Sequence, residues 1–441
     1  MYSFNFQYID IAIIFFYFVI LGQLSFMTIS KKHRIPITFL LLSSFLLKIL
    51  FGFISNINAF QALAHLNRLS EYDATNYYLQ SIYDVATQNT LIPELHWSIA
   101  DPGFSILLYW IGKIYSFFFI NCNISYFYFI YFLVFIHTLT FLYIFKYLEK
   151  HQNLSRLIIV VFSIYVLFEP MMLRFSFSLE REIIVSLLLL VFITAFMDNK
   201  WIVMIISGLS LIPFRDVYLY LVPTIFTIHF IYNKYAKTKF YVVLPIILIA
   251  FSLIVHILAS NIEELERLFF HHGKDLGVSA FGDLVLSQSY CLRISIYSIL
   301  GFIAPVPLYP FYANDYSTFY FLSLLFGLSS ISYFFVNSYM IYSLYQFDHY
   351  SRINSLSTDQ GINKIQKAYL VIFILHLTFH GLIYNIRHRL QIIPGLIVVF
   401  LYLLQFQKSI GIKISLIKWF SLCTMIVIGL NIFHYILKML V

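Results

Sequence analysis

Charge is what this sequence has least of. Asp, Glu, Lys and Arg together make up 11% of its 441 residues, while 61% are hydrophobic. An ordinary soluble domain carries about 25% charged residues. A water-soluble fold of this length cannot hide so much apolar surface, so that class is excluded. Cysteine is scarce as well. Cys122, Cys291 and Cys423 are odd in number and far apart, which gives neither a disulfide framework nor a zinc-ligand spacing. The first apolar run, about residues 8–30, lacks a basic start and a small-residue cleavage site, so it reads as a retained helix rather than a signal peptide. No internal repeat and no disordered tail is visible. The net charge of +8 gathers into no single patch, so it carries no nucleic-acid signal; the basic residues punctuate the ends of apolar runs, as in a membrane protein.

What the sequence does have is apolar runs of about 17–23 residues, the length that crosses a bilayer. They fall near 8–30, 36–58, 103–121, 124–145, 157–170, 183–198, 201–213, 217–232, 240–260, 293–308, 317–344, 369–386, 390–406 and 416–437. The expectation is an all-α polytopic membrane protein of about 11–14 transmembrane helices, one domain over residues 1–441. Three longer hydrophilic stretches interrupt it: 59–101, 261–292 and 346–368.

Basic clusters set the orientation. "KKHR" (31–34), "KYLEKHQNLSR" (146–156), "NKYAKTK" (233–239), the 346–368 loop, and Lys408, Lys413 and Lys418 are placed on the cytoplasmic face. That leaves 59–101, 171–182, 214–216, 261–292 and 384–389 on the outer face. With 31–34 and 146–156 on one side, 103–121 is expected to be re-entrant or interfacial rather than a full crossing. Charges are expected near the outer ends of spans and not at their centres. Three outer turns carry arginine against the charge rule: "LRFSFSLERE", "PFRD" and "YNIRHR". Charges at a membrane edge are costly and usually have a task.

Four constellations follow. His376, His380 and Arg387 fall at about 0°, 40° and 20° around one helix, either a polar packing stripe or, ending at Arg387, His388 and Arg389, an anion site. A guanidinium fork grips phosphate through two parallel hydrogen bonds, so the simplest ligand is the phosphate or pyrophosphate of a lipid carrier. Arg174 and Arg181, seven apart, would share a face of one continuing helix and give a second grip, with a salt-bridged helix entry as the plain reading. Arg215 stands in the third arginine turn. In "EYDATNYYLQSIYD", a helix would put Asp73, Tyr77, Gln80 and Asp84 on one face: carboxylates for sugar hydroxyls, rings for stacking, and in Asp73 a general base. An amphipathic interfacial helix is the alternative there. "FFHHGKD" (269–275) supplies no third metal ligand at helical spacing, and Asp101-Pro102-Gly103 reads as a turn feeding a helix.

"DATNYY" followed by "W…DPGFSILLYWIGKI" resembles the Asp-x-x-x-Tyr and Glu-Pro-Gly-Phe region of the EpsG-like exopolysaccharide polymerases. "MMLRFSFSLEREIIVSLLLLVF" is similar to their arginine segment that opens a helix. "YNIRHRLQIIPGLIVV" looks like the late arginine motif of Wzy-type O-antigen polymerases and the Arg-x-Arg before a proline in GT-C glycosyltransferases. Asp101 stands where such chains usually have Glu. Glu180-Arg181-Glu182 replaces their Arg-Gln pair, leaving either Arg174 or Arg181 as the counterpart.

The resemblance implies a GT-C-like multi-helix bundle in the bacterial inner membrane, facing outward. It implies a polymerase of undecaprenyl-pyrophosphate-linked repeat units for O-antigen, capsule or exopolysaccharide, with no metal or other cofactor. Its partners would be the lipid-linked oligosaccharide, membrane lipids, a chain-length regulator and a flippase. Catalytic roles fall to Asp73, His380 and Arg387. Pyrophosphate binding falls to Arg174, Arg181, Arg215, Arg387 and Arg389, and glycan binding to Tyr77, Gln80, Asp84 and His376. The alternatives are a GT-C enzyme moving one sugar from a polyprenyl-phosphate donor, and a flippase or transporter for lipid-linked glycans.

Overall fold

The computed structural model describes residues 8–63, 84–85, 87–88, 90–93, 102–118, 126–151, 153–175, 179, 181–215, 217–234, 240–261, 288–303, 317–353, 360–382, 388–409 and 415–440. Every regular element among them is a helix. The chain divides into two compact units, Met1–Phe192 with Trp201–Val222, and Ile193–Lys200 with Pro223–Val441.

The first unit contains α1 (Tyr8–Thr28), α2 (Arg34–Leu63), α3 (Pro102–Phe118), α4 (Tyr126–His151), α5 (Arg156–Phe168), α6 (Pro170–Phe175), most of α7 (Glu182–Met197), α8 (Trp201–Leu211), a 3-10 turn at Ile212–Phe214 and the start of α9 (Tyr218–Lys234). In α1 the buried positions are Asp10, Ile13, Tyr17, Leu21 and Ser25, three or four apart and so on one stripe. Its other face exposes Phe15, Phe16, Phe26 and Met27, which suits contact with lipid.

Helices α1 and α4 run parallel. Tyr131 donates to Asp10 Oδ1 at 2.9 Å near their starts, and Tyr17 stacks on Phe135 at 4.8 Å. At the far ends Lys146 Nζ donates to the Thr28 carbonyl, and Ser30 donates through N–H and Oγ to Glu149 at 3.1 and 2.5 Å. The basic stretches 31–34 and 146–156 therefore lie at one end of this unit. Tyr115 of α3 donates to the Tyr128 carbonyl at 3.0 Å, so Tyr17 must donate in the 2.8 Å contact between their hydroxyls. Tyr17 lies about 14 Å along α1 from its start. The other end of α3 meets the 3-10 turn, where a Cβ on Gly103 would lie 2.8 Å from Pro213.

The second unit contains the rest of α7 and α9, then α10 (Phe240–Asn261), α11 (Tyr290–Ile303), α12 (Ser317–Ile353), α13 (Gln360–His376), a π-helical turn at Leu377–Leu382, α14 (Arg389–Ser409) and α15 (Leu416–Leu440). Polar side chains staple its helices. Tyr339 donates to Gln407 Oε1 at 2.7 Å, and Gln407 donates to Ser343 at 2.9 Å. Tyr369 donates to Asn337 Oδ1 at 3.0 Å, and Trp419 donates to Ser338 at 3.0 Å. Between apolar helices such bonds fix orientation where hydrophobicity cannot discriminate.

Four described helices are long and apolar enough to cross a membrane: Tyr8–Thr28, Arg34–Phe51, Phe127–His151 and Arg389–Lys408. Shorter apolar stretches run over Arg156–Phe168, Glu182–Met197, Trp201–Phe214, Tyr218–Thr227, Pro245–Ile254 and Leu416–Leu430.

Three expectations need correcting. Most of 346–368 is not a loop: α12 continues to Ile353 and α13 starts at Gln360, because Ile365 and Ala368 give that stretch a buried face. Arg174 and Arg181 do not share a helix, since α6 ends at Phe175 and Arg181 is a turn residue before α7. Charged and titratable residues also occur away from the helix ends. Lys48 in α2 and His137 in α4 are 2% and 1% exposed, each about 20 Å from the basic end of its helix.

Candidate functional site

Arg389 follows a stretch in which the ordinary α-helix gives way to a wider turn. Helix α13 ends at His376, and the next six residues form a π turn. Such turns are rare and often accompany functional positions. The wider turn brings the rings of His376 and His380 to a 4.5 Å stack. Arg389 then opens α14, and its side chain is 0% exposed.

Its guanidinium is gripped on three nitrogens. Nε donates to His380 Nε2 at 3.3 Å, Nη1 to Ser330 Oγ at 3.1 Å and Nη2 to the Gly301 carbonyl at 2.5 Å. The guanidinium carbon lies 4.9 Å from the centre of the Tyr333 ring, within cation–π range. Arginine keeps its charge in proteins, so a permanent cation is held here, and His380, Ser330, Tyr333 and the Gly301 carbonyl around it are neutral groups. The close approach of α11 to the π turn needs Gly301: a Cβ there would lie 2.5 Å from His380 Cβ.

The partners also fix both histidine tautomers. Arginine can only donate, so His380 Nε2 accepts and its Nδ1–H points to the His376 carbonyl at 3.3 Å. A carbonyl can only accept, so His376 donates through Nε2–H to the Ser298 carbonyl at 2.8 Å. Its Nδ1 then accepts from Tyr333 at 3.0 Å. Both imidazoles are neutral by this accounting. Phe302 covers the outer face of the His376 ring at 3.8 Å. All nitrogens of the His376–His380 pair are engaged inside the protein.

The first unit holds another buried arginine. The 3-10 turn at Ile212–Phe214 delivers Arg215, whose Nη2 donates to Glu182 Oε1 at 2.8 Å. Arg181 Nε stands 4.0 Å from the same oxygen. Glu182 is 0% exposed and sits in the first turn of α7, where the helix dipole favours a carboxylate. One carboxylate thus faces two guanidinium groups.

His376, His380 and Arg389 form one cluster, and Arg181 with Arg215 form another. Asp84 is buried and accepts from Gln88 Nε2 at 3.0 Å, so its carboxylate is turned to its own chain. Asp73, Tyr77, Gln80, Arg387, "FFHHGKD" and the side chain of Arg174 lie outside the described residues. Among the described residues no group of three His, Cys, Asp or Glu side chains is placed to hold a metal ion. Ser330, Tyr333 and Gly301 were missed in the sequence, because nothing in an unbroken apolar helix marks the residue that faces a buried charge. Compared with family models, curated proteins and solved structures, the chain matches none.

Proposed function

We propose that this chain is an integral membrane glycosyltransferase of the bacterial inner membrane, with about 11–14 crossings in a GT-C-like bundle. It polymerises undecaprenyl-pyrophosphate-linked oligosaccharide repeat units at the outer face. The observation that carries this reading is Arg389, a permanent cation with no exposure, held by His380, Ser330, Tyr333 and the Gly301 carbonyl. A charge among apolar helices is costly and is kept where it has work to perform.

In this reading the growing chain leaves its pyrophosphate carrier and joins the next lipid-linked unit. The C–O bond to pyrophosphate breaks, and an acceptor hydroxyl takes its place after losing its proton. Negative charge builds on the leaving pyrophosphate, and preorganised cations stabilise it. Arg389 acts through its field and through its hold on His380. Direct contact with the pyrophosphate falls to Arg387, two residues earlier. Asp73 is the candidate base for the acceptor hydroxyl.

A gel of surface polysaccharide from a strain lacking this gene tests the reading. Collapse of the ladder to single repeat units supports it. An intact ladder missing one sugar points instead to a GT-C transferase using a polyprenyl-phosphate donor. A second reading, transport of lipid-linked glycan, is favoured by Lys48 and His137. Transporters place ionisable groups at mid-depth, and both residues are buried there.

A further inference from the structure

Among the buried ionisable residues of the first unit that the glycan chemistry does not use are Lys48, His137 and Glu169. Lys48 lies 14 residues from Arg34 at the start of α2, His137 lies 14 from His151 at the end of α4, and Glu169 lies 13 from Arg156 at the start of α5. All three are therefore in one layer, about 20 Å from the basic end. They are 2%, 1% and 4% exposed, respectively.

The layer is tied together but incompletely satisfied. Lys48 Nζ donates to Ser44 Oγ at 2.8 Å, and Ser44 donates on to the Val166 carbonyl at 3.0 Å, stapling α2 to α5. The Lys48 ammonium also lies 4.8 Å from the Phe141 ring centre. His137 leans on the same ring at 5.3 Å. Glu169 Oε2 accepts from the Met172 N–H at 2.5 Å. The Lys48 charge acts on both Glu169 and the His137 ring. Yet neither nitrogen of His137 has a hydrogen-bond partner. Burying an imidazole bare costs about 1–3 kcal/mol for each unmet group, and a phenylalanine in its place would not incur that cost.

We propose that Lys48, His137 and Glu169 form a proton-exchange site at mid-depth in the first unit, bridged by an ordered water between the ammonium and the imidazole. An open imidazole needs one donor and one acceptor, and water supplies both. In the exchange step the water accepts a proton from Lys48 Nζ and passes one of its own to a His137 nitrogen. Lys48 is left as an amine and His137 as an imidazolium, with the total charge unchanged. The Glu169 carboxylate acts on the Lys48 ammonium, and because the exchange moves a proton within the layer, no net charge is created there. This gives the chain a means of coupling to protons, separate from glycan transfer and independent of that reading.

Other titratable groups on the packed helices are committed elsewhere. On α1, Asp10 accepts from Tyr131 and Tyr17 donates to Tyr115. On α4, Tyr128 packs on Tyr115, while Tyr147 and His151 stack on each other near its basic end. On α5, Tyr165 precedes Glu169 by one turn.

The test uses the full chain in lipid bilayers with 15N-labelled histidine. Nuclear magnetic resonance reads the ring nitrogens from about pH 5 to pH 9, the span in which histidine switches. The His137 signals are identified by their loss in His137→Gln, or by contact with labelled Phe141 if that variant does not accumulate. The expected result is a change of the His137 ring between neutral and imidazolium forms within that range. Lys48→Met, or Lys48→Gln if that variant does not fold, should displace the midpoint by about one pH unit or more, the scale of a nearby unit charge. A ring that keeps one form throughout overturns the proposal. So does a midpoint indifferent to Lys48.

Discussion

Replacing Gly301 by alanine should disable the Arg389 cluster without substituting any of its polar side chains. The new Cβ would stand 2.5 Å from His380 Cβ, 2.7 Å from Cγ and 2.9 Å from Cδ2. Carbon atoms sit comfortably at about 3.5–4.0 Å. Both Cβ atoms are fixed to backbone, so no rotamer change relieves the clash, and α11 must withdraw from the π turn by about 1 Å. That withdrawal stretches the 2.5 Å bond from Arg389 Nη2 to the Gly301 carbonyl. Overpacking costs about 1–3 kcal/mol, and losing a hydrogen bond from a charged donor costs about 1.5–3 kcal/mol. The variant should lose about 3–6 kcal/mol in all. Gly429→Ala in α15 is the control, because nothing lies within 4 Å of its added Cβ. On propensity alone that change gains up to about 1 kcal/mol. Chemical unfolding of both purified proteins in mixed micelles, followed by circular dichroism, gives the comparison. Stabilities of the two variants within about 1 kcal/mol of each other would falsify the argument that Gly301 sets the distance between α11 and the π turn.

Three further substitutions probe other joints. Gly103→Ala drives a Cβ to 2.8 Å from the Pro213 backbone, and the same unfolding experiment should show a loss of about 1–3 kcal/mol. Asn199 has φ 55° in the turn between α7 and α8; Asn199→Val should cost about 1–2 kcal/mol while Asn199→Gly stays near neutral, and equal costs would contradict the backbone reading. Glu182→Gln removes the buried charge between Arg215 and Arg181, and a loss of about 3–5 kcal/mol is expected from an uncompensated guanidinium. A double variant adding Arg215→Met should recover much of that loss in the same assay, and no recovery would mean that the pair is not the coupled unit.

Helix positions were legible because long apolar runs leave few other choices. Helices α1, α8 and α9 begin and end within about two residues of where the sequence puts them. Helix α3 starts at Pro102, as an early proline allows. The break before Glu182 was legible as the turn over 171–182, but the short helix Pro170–Phe175 inside that stretch was not. Nor was the π turn at Leu377–Leu382, whose backbone pattern has no signature in "LTFHGL". Faces were the hardest feature. In a bilayer the exposed and buried sides of a helix are equally apolar, so periodicity does not separate Ile13 from Ile11. The informative residues are the polar ones, which mark the inward side: Asp10 and Ser25 in α1, Lys48 in α2 and His137 in α4 all point inward. The same principle made His376 and His380 stand out in sequence. Their geometry still differs from an α-helical stripe, because the π turn stacks the two rings and Arg389 closes on His380.

The measurement that bears most directly on the proposed function is the polysaccharide gel, read together with the lipid-linked glycan pool. The strain lacking this gene should show single repeat units in place of a ladder. Wild type should restore the ladder, and Arg387→Ala, two residues before the enclosed Arg389, should not, although the protein accumulates normally in the membrane. A full ladder in the deletion strain, or one restored equally well by Arg387→Ala, would contradict the account.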